Sequence, residues 1–84
     1  MTADKLDWSW PLAEPLILKS GVQLTTLHDA AEVHVRHFGN VNHDAPTAHA
    51  IDLMMRAAET GTRADRKAAT DQVAFVLRLN VMMD

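Results

Sequence analysis

The pattern of apolar and polar positions indicates strands in the first third of the chain and helices after it. Residues 16–19 and 22–25 are short runs compatible with β-strands, and Ser20-Gly21 separates them. Glycine readily takes the positive φ that tight hairpin turns need. The pattern therefore predicts a β-hairpin, in which the leucines of the first run share a face with Val22 and Leu24.

A helical spacing begins after Thr26. This threonine suits the N-cap position, and Asp29 three residues later completes part of a capping box. Helix one then continues to about Phe38, where Gly39 and Asn40 end it. At about 100° per residue, the predicted inward face consists of Leu27, Ala30, Ala31, His34, Val35 and Phe38.

Two further helices follow. Asp44-Ala45-Pro46 predicts the start of helix two, and Thr60-Gly61 predicts its end. Its predicted core side consists of Ile51, Met54, Met55 and Ala58. Helix three is capped by Thr62 with Asp65 and continues to about Asn80. Its predicted inward stripe consists of Ala64, Ala68, Gln72, Phe75, Val76, Leu79 and Met82.

The second half of helix three is apolar on nearly every side. Val73 and Leu77 lie away from the predicted inward stripe, yet they are as apolar as the stripe itself. A chain of 84 residues has too little other structure to surround such a helix. We therefore expect a homodimer whose interface contains Val73, Leu77 and Val81, with Trp8 and Trp10.

The whole pattern predicts an α+β fold in which an N-terminal β-hairpin packs against three α-helices. Residues 1–15, which carry Trp8, Trp10 and two prolines, are expected to be an extended N-terminal arm. Residues 16–84 are expected to form a single small domain, because the chain is too short for two cores.

The order of these elements and a few residues within them match a known pattern. The matching positions span roughly residues 8–81 and are Trp10-Pro11, Leu16-Ile17, Asp29-Ala30, Phe38, Ala58, Gly61 and Ala68. The chain here resembles domain of unknown function 982, a family of short bacterial proteins. The resemblance implies a small α+β domain and carries no reaction, cofactor or catalytic residue. The family tends to have an apolar residue, a cysteine, an Ala-Arg pair and a glycine where this chain has His34, Met55, Ala68-Ala69 and Asn80.

All five histidines lie within residues 28–49, which raises the question of a metal site. His34 and His37 are three apart on helix one, and His43 in the following loop could fold back towards them. These three residues are the metal-binding alternative. The competing interpretation gives His34 a hydrogen-bond partner in the core or the interface and leaves the other histidines at the surface.

One basic cluster opens helix three. Arg63, Arg66 and Lys67, with Thr70 one turn further on, could contact DNA as the second helix of a helix-turn-helix does. The net charge of the whole chain, however, is −3, and Asp65 and Asp71 lie among these cations. An exposed face with ordinary ion pairs explains the same residues.

No constellation for catalysis stands out. The chain has no cysteine, its two serines lie in or beside the extended N-terminal part, and its three glycines are isolated. We therefore expect a non-catalytic protein without a cofactor, a homodimeric accessory or regulatory protein-interaction module. A histidine-based metal- or small-ligand-binding protein is the alternative, and a DNA-binding regulator is the third. No apolar run suggests a membrane partner, and a cytoplasmic location is expected.

Overall fold

The computed structural model describes residues 6–38 and 45–83, and within them it contains two strands and three helices. In chain order these are β1 (Pro11–Ile17), β2 (Gln23–Thr26), α1 (Leu27–Phe38), α2 (Ala45–Thr60) and α3 (Arg63–Leu79). The strands form an antiparallel hairpin, and the three helices follow it. The predicted α+β fold, with a β-hairpin packed on three helices, is confirmed.

The hairpin turns through three residues, Lys19 to Gly21. The backbone N–H of Leu18 donates to the carbonyl of Val22, and that of Gly21 donates back to the carbonyl of Leu18, both at 2.8 Å. Gly21 has a φ of +95°, as the turn requires. Leu18 is buried with the core, whereas Val22 is exposed. Val22 nevertheless lines the same cavity as Leu18 and Leu24, so it lies at the exposed edge of the face that it was predicted to share with them.

Strand β1 begins five residues before the predicted run. Pro11 pairs with Thr26, and Leu16 pairs with Leu24, but the register is irregular between these two pairs. A proline has no backbone N–H to donate, so Pro11 and Pro15 argued against a strand in this segment. The strand forms nevertheless, because its pairing with β2 is interrupted between Pro11 and Leu16. Leu12, within the segment predicted as an arm, is buried in the core.

The N-terminal segment also satisfies the first turn of α1. The backbone N–H of Leu27 donates to the carbonyl of Trp10 at 2.9 Å, and that of His28 donates to the carbonyl of Trp8 at 2.8 Å. The N–H of Asp29 donates to the Thr26 hydroxyl, and the Asp29 carboxylate accepts from the Thr26 N–H, both at 3.2 Å. The predicted capping box is therefore confirmed. Together these bonds satisfy N–H groups that a helix start leaves unpaired.

Helices α1 and α2 each turn one predicted core residue outwards. Val35 is 71% exposed, and Met55 is also exposed. The inner side of α1 is centred on Leu27, Ala30 and His34, and Val35 lies about 100° round the helix from its neighbour. Met55 is displaced by the same angle from the buried Met54. Both predictions of core position are wrong for this reason.

Helix α3 buries a different face from the predicted one, although Val76 of the predicted inward stripe is buried as expected. Val73 and Leu77, expected at a subunit interface, are fully buried within the chain. Phe75 and Leu79, expected in the core, are 47% and 54% exposed. The helix packs between β1 and α2, and its buried side consists of Ala69, Thr70, Val73, Ala74, Val76 and Leu77. Both faces are apolar, so periodicity alone could not choose between them.

None of the helices in the described ranges is both long enough and apolar enough to cross a membrane.

Candidate functional site

The outward face of α3 carries exposed apolar side chains. We define the outer α3 stripe as Ala64, Ala68, Phe75 and Leu79, which follow one another along one side of the helix. Ala68 is half-buried, and the other three side chains are exposed. Val81, just beyond the helix, is exposed as well. The stripe places two small residues in the N-terminal half of α3 and two large ones in the C-terminal half.

Polar groups that already have partners border this stripe. On one side the ammonium of Lys67 lies 3.1 Å from the carboxylate of Asp71, one turn along the same helix. On the other side the amide of Gln72 donates to the carbonyl of Pro46 at 3.1 Å, which fixes the start of α2 against α3. An apolar strip with a polar margin is the usual anatomy of a protein-binding surface.

The two tryptophans take different roles. Trp8 is half-buried and packs against the core. Trp10 is 37% exposed, and the guanidinium of Arg66 lies 5.5 Å from the centre of its ring, a cation–π contact. Its indole also covers Gly61, which has a φ of +66°. Of the five predicted interface residues, Trp10 and Val81 are therefore exposed, Trp8 is partly so, and Val73 and Leu77 are not accessible to a second chain.

A cavity of about 420 Å³ lies between the hairpin and α1, and we call it the hairpin pocket. Its apolar walls come from Leu18, Val22, Leu24, Val33 and Met82. Charged side chains of α1 stand at its rim, where the carboxylate of Glu32 lies 3.5 Å from the guanidinium of Arg36. His37 also lines the pocket. No sequence pattern indicated this cavity, because it depends on how α1 lies beside the hairpin.

The histidines proposed as metal ligands occupy different environments. His34 is buried, and its Nδ1 lies 3.1 Å from the carbonyl oxygen of Ala30, within hydrogen-bond distance. His37 is exposed at the hairpin pocket, and His43 lies outside the described residues. Within residues 6–38 and 45–83, no three histidine or carboxylate side chains converge as metal ligands would. The buried position of His34 follows its predicted place on the inner face.

The basic cluster at the start of α3 is largely engaged within the chain. Arg66 donates from Nε to the carbonyl of Gly61 at 3.2 Å and from a terminal nitrogen to the carbonyl of Pro11 at 3.4 Å. Lys67 pairs with Asp71, and Arg63 is exposed. These cations border a cavity of about 340 Å³, which Glu14 also lines.

Thr70, predicted as a further DNA contact, is instead 1% exposed and belongs to the core. The predicted DNA contact is wrong because Thr70 lies on the buried side of α3, with Val73 and Leu77. Thr70 and Val73 are three positions apart and so share a helix face, but the sequence alone does not show that this face is the buried one.

The acidic groups with shifted pKa values have structural roles. The pKa of Asp29 is lowered, chiefly because the backbone N–H of Thr25 donates to its carboxylate at 2.9 Å. The pKa of Asp7 is lowered because the hydroxyl and the backbone N–H of Ser9 donate to its carboxylate. Each carboxylate therefore stabilises a local turn or helix start.

No protein-family model, curated protein or solved structure matches this chain. Membership of domain of unknown function 982 accordingly stays a prediction. The outer α3 stripe and the hairpin pocket are the surface features that bear on function.

Proposed function

We propose that the protein is a non-catalytic interaction module that forms a homodimer through the outer α3 stripe. The observation that carries the proposal is the exposure of Phe75 and Leu79 on the same face of the longest helix. Removing a large apolar side chain from water is worth about 1.5–3 kcal/mol. Two such residues from each copy therefore provide a driving force for association.

A second copy is the occupant that we infer because the stripe suits a twofold interface. In such an interface the same patch of each subunit meets its counterpart, so the patch must complement itself. The stripe combines small and large apolar residues on one helix, and its charged border at Lys67 and Asp71 is balanced. The dimer expected from the sequence is thus retained, with Phe75 and Leu79 in place of Val73 and Leu77.

The accessory or regulatory role is part of the same proposal. A dimer through α3 leaves the hairpin, α1 and Trp10 on other parts of the surface, where a further partner can bind. The exposed ring of Trp10 is a suitable anchor, because tryptophan contributes strongly to binding at protein interfaces.

Sedimentation velocity over a range of micromolar concentrations tests the dimer. We expect a dimer for the unchanged protein and a monomer with an intact helical spectrum for Phe75→Glu. Val35→Glu is the matched control, since Val35 is also an exposed apolar helix residue but lies on α1. A monomeric wild-type protein at the highest concentration would contradict the proposal, and loss of the dimer in Val35→Glu would place the interface elsewhere.

The hairpin pocket supports small-ligand binding as a second candidate function. Its volume of about 420 Å³ lies within the range of ligand pockets, and its apolar walls carry a polar rim that includes His37. The apolar dye anilinonaphthalene sulfonate is a suitable probe. We expect its fluorescence to rise on binding, and we expect Val22→Glu to weaken binding while Val35→Glu leaves it unchanged. Equal binding by all three proteins would exclude this pocket as the site.

A further inference from the structure

We propose that the two α3 helices of the dimer pair in antiparallel fashion, with the twofold axis passing between Asp71 and Gln72. In this arrangement Ala68 of one copy packs against Phe75 of the other, and Ala64 packs against Leu79. The inference rests on the proposed homodimer and specifies its geometry.

The spacing of the stripe carries the argument. The midpoint between Ala68 and Phe75 falls between residues 71 and 72, and so does the midpoint between Ala64 and Leu79. Reversing one helix about that point therefore exchanges each small residue with a large one. Small side chains opposite large ones let two helices approach evenly along their length, because the interaxial distance depends on the residues in contact.

A parallel pair would fit the same residues poorly. It would set Phe75 against Phe75 and Leu79 against Leu79 at one end, and alanines against alanines at the other. The helices would then be held apart at the C-terminal end and leave a gap at the N-terminal end. Gaps of this kind forfeit contacts on both sides.

The charges of α3 disfavour a parallel pair. Arg63, Arg66 and Lys67 all lie in its first two turns, and its last turn carries the single cation Arg78. A parallel pair would bring the two basic ends together, whereas an antiparallel pair places each basic end beside one cation of the other copy. The last carbonyl groups at that helix end carry partial negative charge, which offsets part of the repulsion.

Disulfide trapping tests the pairing directly, because the natural chain has no cysteine. Three single variants, Ala64→Cys, Ala68→Cys and Asp71→Cys, keep both large residues of the stripe. At about 1.5 Å per residue, the antiparallel pair separates the two copies of residue 68 by about 10 Å along the helix axis, whereas the two copies of residue 71 nearly coincide along it. A disulfide needs Cα atoms within about 7 Å, so we expect only Asp71→Cys to form a linked dimer under mild oxidation.

The alternative outcomes are distinct. Linked dimers of Ala64→Cys or Ala68→Cys would indicate parallel helices and overturn the inference. Sedimentation of the same variants under reducing conditions shows whether each forms a dimer without a disulfide. It therefore tests the homodimer separately from the antiparallel pairing of α3. A dimer that none of the three cysteines can link also contradicts this pairing, whereas monomers throughout contradict the proposed function itself.

Exchange of a small and a large residue provides a second measurement. We expect Ala68→Phe alone and Phe75→Ala alone each to raise the dissociation constant by about ten-fold or more, from overpacking and from lost burial respectively. The double variant restores a large residue opposite a small one, so its dissociation constant should return to within a few-fold of wild type. Additive losses in the double variant would show that residues 68 and 75 do not face each other across the dimer.

Discussion

The hydroxyl of Thr70 in α3 accepts a hydrogen bond from the backbone N–H of Ala13 in β1 at 2.9 Å. The same hydroxyl donates to the carbonyl of Arg66 at 2.7 Å, and Thr70 itself is 1% exposed. Ala13 lies where the register of the hairpin is irregular. A single side chain therefore provides the partner for a backbone group in the irregular part of β1 and joins the hairpin to α3.

Replacement of Thr70 by valine should destabilise the fold. The substitution preserves shape but leaves the N–H of Ala13 without its acceptor, which costs about 1–3 kcal/mol. Urea unfolding measures the change, and Thr70→Ser is the control that keeps the hydroxyl. If Thr70→Val and the wild type unfold at the same urea concentration, the hydrogen bond does not hold the hairpin on α3.

Gly61 and Trp10 form a second close relationship. Gly61 has a φ of +66°, and a Cβ atom at this position would overlap the indole of Trp10. We therefore expect Gly61→Ala to lower the free energy of unfolding by more than the 1–3 kcal/mol typical of left-handed strain alone, since the indole must also move. Thermal unfolding followed by tryptophan fluorescence reports both effects.

Gly21→Ala is the matched control for this prediction. Gly21 also has a positive φ, but nothing lies within 4 Å of a Cβ atom built there. Its substitution should show the backbone cost alone and leave the fluorescence of Trp10 unchanged. Equal losses of unfolding free energy in Gly61→Ala and Gly21→Ala would mean that the indole of Trp10 moves aside without destabilising the fold.

The start of α1 shows how much of the fold the sequence could predict. Thr26 and Asp29 form a local motif whose geometry depends only on their spacing, and the structure confirms it. The β-hairpin and the three helices are likewise predictable from local patterns. Strand β1 was predicted too short because Pro11 and Pro15 interrupt the signal, whereas tertiary bonds such as that between Thr70 and Ala13 compensate for the missing ladder.

The candidate site was less predictable. The sequence correctly indicated that α3 is apolar on both faces, but the choice of the buried face depends on packing against β1 and α2. The inner face carries Val73, Val76 and Leu77 together with Ala69 and Ala74, which let the neighbouring elements approach closely. The outer face carries Phe75 and Leu79, whose larger side chains made it the stronger core candidate on hydrophobicity alone.

The capping carboxylate of Asp29 should give the fold a measurable dependence on pH. Hydrogen bonds from Thr25 and Thr26 hold its pKa below the ordinary value of 3.8, so the folded state favours the charged form. The resulting stability is present above the pKa of the unfolded chain and is lost as the pH falls towards the lower pKa of the folded state. Denaturant unfolding between about pH 5 and pH 2 should show a shallower loss in Asp29→Asn than in the wild type.

Two further variants separate this effect from general charge loss. Asp52→Asn removes one negative charge from the exposed side of α2, so it measures the effect of charge loss without the loss of a helix cap. Asp7→Asn removes the other carboxylate with a lowered pKa, so it should flatten the pH profile independently of Asp29. A profile for Asp29→Asn that parallels the wild type at every pH would show that the carboxylate is not coupled to folding.

The orientation of α3 can be measured with two leucines that lie two positions apart. Leu77 is fully buried, so Leu77→Ala should cost about 2–5 kcal/mol of folding free energy through lost burial and the cavity that remains. Leu79 is 54% exposed, so Leu79→Ala should change the stability of the monomer by less than about 1 kcal/mol. At high protein concentration the loss in Leu79→Ala should grow, because a dimer that binds only the folded state stabilises it by mass action. Urea unfolding at a low and a high protein concentration therefore separates the two roles. If Leu79→Ala is as costly as Leu77→Ala at the low concentration, α3 turns its other face to the core, and the outer stripe is not the surface that binds a second copy.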